Sequence, residues 1–181
     1  KFWSRVEGKT KAKDENVFLY GEILNTAGPG GYSDVQKYTK YIKVTNNLYG
    51  HNIQSSVANW DASKAKNLSG YNSSGDNIFG TNGNEWVLWN ESHDTYVGAG
   101  SSYLATDTMI KQTWAIIAAR KEATPLFLAR SYYSEKLVDD KGNKKSTSSL
   151  VQTEMGDVGT MTFSDPSVAA VNNFKNAFIG Q

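Results

Sequence analysis

Glu85-Trp86-Val87-Leu88-Trp89-Asn90-Glu91-Ser92-His93-Asp94 is an apolar run that breaks abruptly into polar residues. Such a run reads as a buried strand whose end carries hydrogen-bonding and ionisable groups. Two flanking segments have the same form. Upstream, Val17-Phe18-Leu19-Tyr20-Gly21-Glu22-Ile23-Leu24 is a short apolar stretch with one acid near its end. Downstream, Thr124-Pro125-Leu126-Phe127-Leu128-Ala129 is a third strand candidate, with Pro125 near its start where it is tolerated. Tyr41-Ile42-Lys43-Val44-Thr45 supplies a fourth.

Helical patterns separate these strands. Gly28-Pro29-Gly30-Gly31 breaks the chain, and Ser33 followed by Gln36 has the form of a capping box. Val35, Tyr38 and Ile42 then recur at roughly helical spacing. Ile53, Val57 and Trp60 predict a second helix, after Tyr49-Gly50. Asp107 is positioned to cap a third, with Met109, Ile110, Trp114, Ile117 and Ala118 on one side. Asp165 before Pro166 is an N-cap followed by proline at the first helical position. Val168, Val171, Phe174 and Phe178 mark the buried side of that helix, and Gly180 is its stop. Lys1 to Asn16 reads as a loop or surface tail. So do the Asn/Ser/Gly-rich residues 67–84, and residues 132–154 are polar with a turn at Asp140-Lys141-Gly142-Asn143.

The order is therefore strand, helix, four times over, which indicates an α/β fold with parallel strands. A (β/α)8 barrel needs eight such units in about 250 residues. The 181 residues here suit half of one.

Composition narrows the function classes. A net charge of +1 gives no strong attraction to nucleic acid or an acidic membrane. Apolar runs fall short of the roughly 18 residues that span a bilayer. Without cysteine there are no disulfides, zinc-thiolate sites or thiol nucleophiles. Lys1-Phe2-Trp3-Ser4-Arg5 is not a signal peptide. Either an export signal has been removed or the chain begins inside something larger, and the element count favours the second.

Glu22 and Asp94 both fall at the carboxyl ends of strands, where catalytic groups gather in a parallel barrel. Paired carboxylates suit glycoside cleavage, one protonating the leaving oxygen and another meeting the sugar cation. His93 beside Asp94 suits hydrogen bonding to sugar hydroxyls, and the 12% aromatic content suits stacking on sugar faces. On spacing alone Glu22 reads equally as a strand-end acid in an ion pair or a helix cap. His93-Asp94 reads equally as a hydrogen-bonded structural pair. His51 and His93 are not at metal-ligand spacing, and His51 reads as a surface or helix-start residue. Gly28-Pro29-Gly30-Gly31 lacks the phosphate-loop Lys-Ser/Thr, and no Gly-x-Ser-x-Gly elbow occurs. Asn67, Asn72 and Asn90 match the N-glycosylation pattern, as chance matches in an Asn/Ser-rich chain.

At these residues the chain resembles the secreted bacterial α-amylases of glycoside hydrolase family 13, of the Bacillus subtilis type. Tyr20-Gly21-Glu22-Ile23-Leu24 is similar to the family's strand-five motif, and Trp89-Asn90-Glu91-Ser92-His93-Asp94-Thr95-Tyr96 to its strand-seven motif. Val44-Thr45 and Tyr49-Gly50-His51 resemble the strand-six region. Trp114 to Arg120 followed by Thr124-Pro125-Leu126-Phe127 resembles helix seven and strand eight. Met155 to Gly159 and Val168 to Phe174 resemble the segment leading into helix eight.

The resemblance implies retaining hydrolysis of internal α-1,4-glucosidic bonds in starch or a related α-glucan, outside the cell. Glu22 would be the general acid/base, with a pKa raised toward neutrality by burial and neighbouring carboxylates. Asp94 would stabilise the oxocarbenium-like state, and His93 would bind the sugar. The family's nucleophilic aspartate lies in a Phe-Arg-Phe-Asp-like motif on strand four, and none occurs here. It would fall before Lys1, in the missing first half of the barrel, as would the calcium ligands of the longer protein. No metal or cofactor is expected on the present residues. Two other readings remain: another family-13 specificity, maltogenic or transglycosylating, and a degenerate, non-catalytic carbohydrate-binding protein.

Overall fold

The computed structural model describes residues 1–23, 32–65, 83–96, 102, 105–130, 140, 141, 143, 156 and 159–179. Within them, β1 (Tyr20–Gly21), β2 (Lys43–Thr45), β3 (Trp86–Trp89) and β4 (Thr124–Leu126) form one sheet in chain order. All three pairings are parallel, with Gly21 opposite Val44, Val44 opposite Trp86, and Leu88 opposite Pro125. Parallel neighbours need a crossover between them, and each connection carries helix. α2 (Tyr32–Tyr38) lies between β1 and β2, α3 (Asn47–Ala58) between β2 and β3, and α4 (His93–Tyr96) and α5 (Asp107–Ala118) between β3 and β4. α6 (Pro166–Ala177) follows β4. This mixed α/β architecture is compatible with part of an α/β barrel.

All four residues of β3 are buried, which is why its sequence shows no alternation: parallel strands covered on both faces read as continuous apolar runs. Val44, Trp86 and Leu88 meet Tyr49 and Ile53 of α3, Trp114, Ile117 and Ala118 of α5, and Val168 of α6 in one core. Pro125 sits on an outer strand of the described sheet, where its missing N–H costs least. β1 is shorter than the Val17–Leu24 run, although the Leu19 carbonyl still accepts from the Lys43 N–H at 2.9 Å.

Several local expectations are corrected. The amino end is no tail: α1 (Phe2–Lys11) is a helix, carrying a Glu7–Lys11 ion pair at 2.6 Å one turn apart. It is held by Trp3, which packs edge-on against Tyr38 of α2 at 5.7 Å. α2 ends at Tyr38, so Ile42 is buried from the turn before β2, not from a helical stripe. Trp60 lies beyond α3, at φ 54° and 90% exposed. The N-cap of α5 is Thr106, whose hydroxyl accepts from the Met109 N–H at 3.3 Å, and Asp107 is the first helical residue. Asp165 caps α6 with Pro166 in its first turn, as the sequence predicts. Phe174 and Phe178, however, are 52% and 57% exposed and lie against each other at 4.9 Å. Asn90 is fully buried, so its glycosylation pattern is a chance match. Gly28–Gly31, the Ser33 side chain, Asn67, Asn72 and Gly180 lie outside the described residues.

Candidate active site at the carboxyl edge of the sheet

Strand direction places the polar residues. Glu22 directly follows β1, Asn46 and Asn47 follow β2, Asn90 to Asp94 follow β3, and Arg130 lies four residues past β4. Because the strands are parallel, all of these leave the sheet at the same end.

Two side chains join the first three strands there. The Asn47 amide nitrogen donates to Glu22 Oε1 at 2.9 Å, and the Asn47 amide oxygen accepts from Trp89 Nε1 at 2.9 Å. Trp89 lies flat over the start of α3, and only glycine fits beneath it. A Cβ on Gly50 would stand 2.4 Å from the Trp89 ring. His51 meets the same ring edge-on at 5.6 Å. The α3 terminus beneath is fixed by Asn46, whose side chain accepts from the Tyr49 N–H at 3.0 Å and whose N–H donates to the Val87 carbonyl at 2.9 Å.

Glu22 is exposed, so the described residues do not supply the burial expected of a general acid. His93 and Asp94 open the single turn of α4 with side chains 78% and 71% exposed, and His93 Nε2 lies 3.3 Å from Asp94 Oδ1. The structure thus sets Glu22 and the His93–Asp94 pair at the same end of one sheet, just past β1 and β3. His51 is exposed within α3, as expected.

Beneath α4 lies a feature that spacing did not reveal. The Glu91 and Arg130 side chains are 0% and 3% exposed and form a two-pronged ion pair. Arg130 Nε donates to Glu91 Oε1 at 2.7 Å, and Nη2 donates to Glu91 Oε2. Nothing local distinguishes Glu91 from its polar neighbours, and its partner is 39 residues away. The one available signal was an acid so close to the end of a fully apolar strand, a place where a charge needs a partner.

Among the described residues, no group of three His, Asp or Glu side chains could hold a metal ion, and no helix is long and apolar enough to cross a membrane.

No protein-family model matches the chain. Curated proteins do, two α-amylases among them. An α-amylase of Clostridium acetobutylicum is 28% identical over 180 residues, which is 99% of this chain and 19% of that protein. An α-amylase of Butyrivibrio fibrisolvens is 30% identical over 173 residues, 92% of this chain and 16% of that protein. The chain therefore spans less than a fifth of the curated relatives it matches, and over nearly its whole length it is related in sequence to α-amylases.

Proposed function

We propose that this chain is the second half of the (β/α)8 catalytic barrel of a secreted family-13 α-amylase that cleaves internal α-1,4-glucosidic bonds of starch with retention. The observation that carries the reading is the placement of Glu22 and His93–Asp94 at the carboxyl ends of β1 and β3 in one parallel sheet. β2 lies between those strands, and Asn47 and Trp89 link it to both. The sequence relation to α-amylases supports it.

In this reading Glu22 protonates the departing glycosidic oxygen and later takes a proton from the incoming water. Asp94 places negative charge beside the developing oxocarbenium ion, and His93 hydrogen-bonds the sugar in the cleaved subsite. Asn47 orients Glu22 through its 2.9 Å bond. Retention also needs a nucleophilic carboxylate about 5 Å from the acid. That group, and the enclosure Glu22 requires, belong to the half of the barrel preceding this one. Calcium has no fitting ligand cluster among the described residues, so no step passes through it here.

The test is starch hydrolysis by the longer protein and by the 181-residue chain alone. Glu22→Gln in the longer protein lowers kcat by about 10²–10⁴-fold, the usual weight of a general acid. The chain alone is inactive. Robust turnover by the isolated chain, abolished by Glu22→Gln, would show that no outside nucleophile is needed and overturn the half-barrel reading.

A further inference from the structure

We propose that Glu91 and Arg130 are positioning residues, a buried clamp that sets the orientation of the turn carrying His93 and Asp94. The inference rests on the α-amylase reading of that turn.

α4 is four residues long, one turn, and a single turn does not hold itself in water. Its position must therefore be imposed from outside. Arg130 does this from several directions at once. It binds Glu91, three residues before Asp94, through Nε and Nη2. Its guanidinium lies over the ring of Tyr96, the last residue of α4, at 4.9 Å. Two further bonds go to the backbone, from Nη2 to the Ser102 carbonyl at 2.6 Å and from Nη1 to the Ala105 carbonyl at 3.0 Å. One side chain from beyond β4 thus grips both ends of α4 and the approach to α5.

Hydroxyls complete the frame. Ser92 and Thr95 bond reciprocally, Ser92 N–H to Thr95 Oγ1 at 3.0 Å and Thr95 N–H to Ser92 Oγ at 3.3 Å. Ser102 Oγ donates to Thr95 Oγ1 at 2.9 Å, and Gln54 of α3 donates to the Asn90 carbonyl at 3.0 Å. His93 and Asp94 stand outside this frame, exposed and paired with each other.

Energetics favour a geometric role. A buried ion pair loses hydration that its mutual attraction barely offsets, and apolar replacement is often neutral or stabilising. What apolar residues cannot supply is a planar fork that fixes direction as well as distance. The arrangement therefore suits orientation of the Asp94 turn better than bulk stability.

The experiment uses the longer protein with a soluble maltooligosaccharide, comparing Arg130→Lys, Glu91→Gln, Asp94→Asn and the double variant Asp94→Asn/Arg130→Lys. Lysine keeps the charge and loses the fork; glutamine keeps the shape and loses the charge. Either single change lowers kcat by about 10²-fold, the cost of a misplacement of about 1 Å, with KM little changed; Arg130→Lys keeps the charge pair and a near-wild-type melting temperature, whereas Glu91→Gln leaves the buried guanidinium unpaired and lowers it. On the Asp94→Asn background, Arg130→Lys costs no more than about a further twofold, because residues acting through one group are not additive. Should Glu91→Gln fail to fold, Arg130→Lys and its double with Asp94→Asn carry the comparison. Wild-type kcat in the single variants, or a full multiplicative loss on the Asp94→Asn background, overturns the clamp while leaving the amylase reading intact. A wild-type protein without activity on α-glucans, or undiminished activity in Asp94→Asn, overturns the amylase reading and the clamp with it.

Discussion

Gly50 is the residue at which local preference and tertiary packing conflict most directly. It lies inside α3, where alanine would be favoured by about 1 kcal/mol. Yet a Cβ there would stand 2.4–2.5 Å from three carbons of the Trp89 ring. Trp89 is buried and tied to Asn47, so it cannot swing clear without breaking that bond. Overpacking of this kind costs about 1–3 kcal/mol, which exceeds the propensity gain. Gly50→Ala is therefore expected to lower the melting temperature, and in a Trp89→Leu background the same change is expected to raise it. Thermal unfolding of the four proteins checks this, and equal shifts in both backgrounds would rule out the Trp89 contact as the cause. The same contrast explains what could be read from the chain. Glu22, His93 and Asp94 announced themselves as polar residues at the ends of apolar runs. Glu91–Arg130 and Asn47–Trp89 did not, because each is a pairing across strands that no linear spacing encodes.

Elements were legible where their signals are local. Asp165-Pro166 states the start of α6, and the structure has it there. The cap is also charged. Hydrogen bonds from the Ser167 hydroxyl, Lys111 and the Ser167 N–H hold the Asp165 carboxyl at a pKa of about 2, below the ordinary 3.8. A depressed carboxylate stabilises the fold fully above its unfolded pKa, and that contribution fades as pH falls through the folded value. The melting-temperature gap between wild type and Asp165→Ala is thus expected to be widest above about pH 4 and to narrow toward pH 2. The group is partly exposed, so salt shrinks the gap further. A gap unchanged down to pH 2 would mean that the carboxylate's charge contributes nothing to the cap. α1 was illegible for the opposite reason. It has no buried residue, and among the described residues only its Trp3 packs against the core, so there was no apolar stripe to find. Phe174 and Phe178 show the converse limit: periodicity reveals an apolar face without revealing what covers it.

At the scale of the molecule, the alternation of strand and helix was enough to give a parallel sheet in chain order, since short connections leave few other topologies. What it leaves open is how the sheet ends. Among the described residues β1 and β4 are the outer strands, and Tyr20 and Leu126 on them are exposed. Packed beside α5, α6 and the two residues after it present Phe174, Phe178 and Ile179 to solvent, and at the amino end Phe2 is exposed as well. Unpaired strand edges and contiguous apolar surface are both templates for association. A net charge of +1 offers almost no repulsion against it. The 181-residue chain expressed alone is therefore expected to self-associate. In sedimentation experiments its apparent mass should exceed 19.9 kDa and rise with concentration. Phe174→Glu with Phe178→Glu should reduce the association by charging the α6 face while leaving the strand edges untouched. Any association that survives this change would then be assigned to the edges. A monodisperse monomer with one cooperative unfolding transition would mean that the four-stranded sheet is sufficient in itself, and would count against its being an open piece of a barrel.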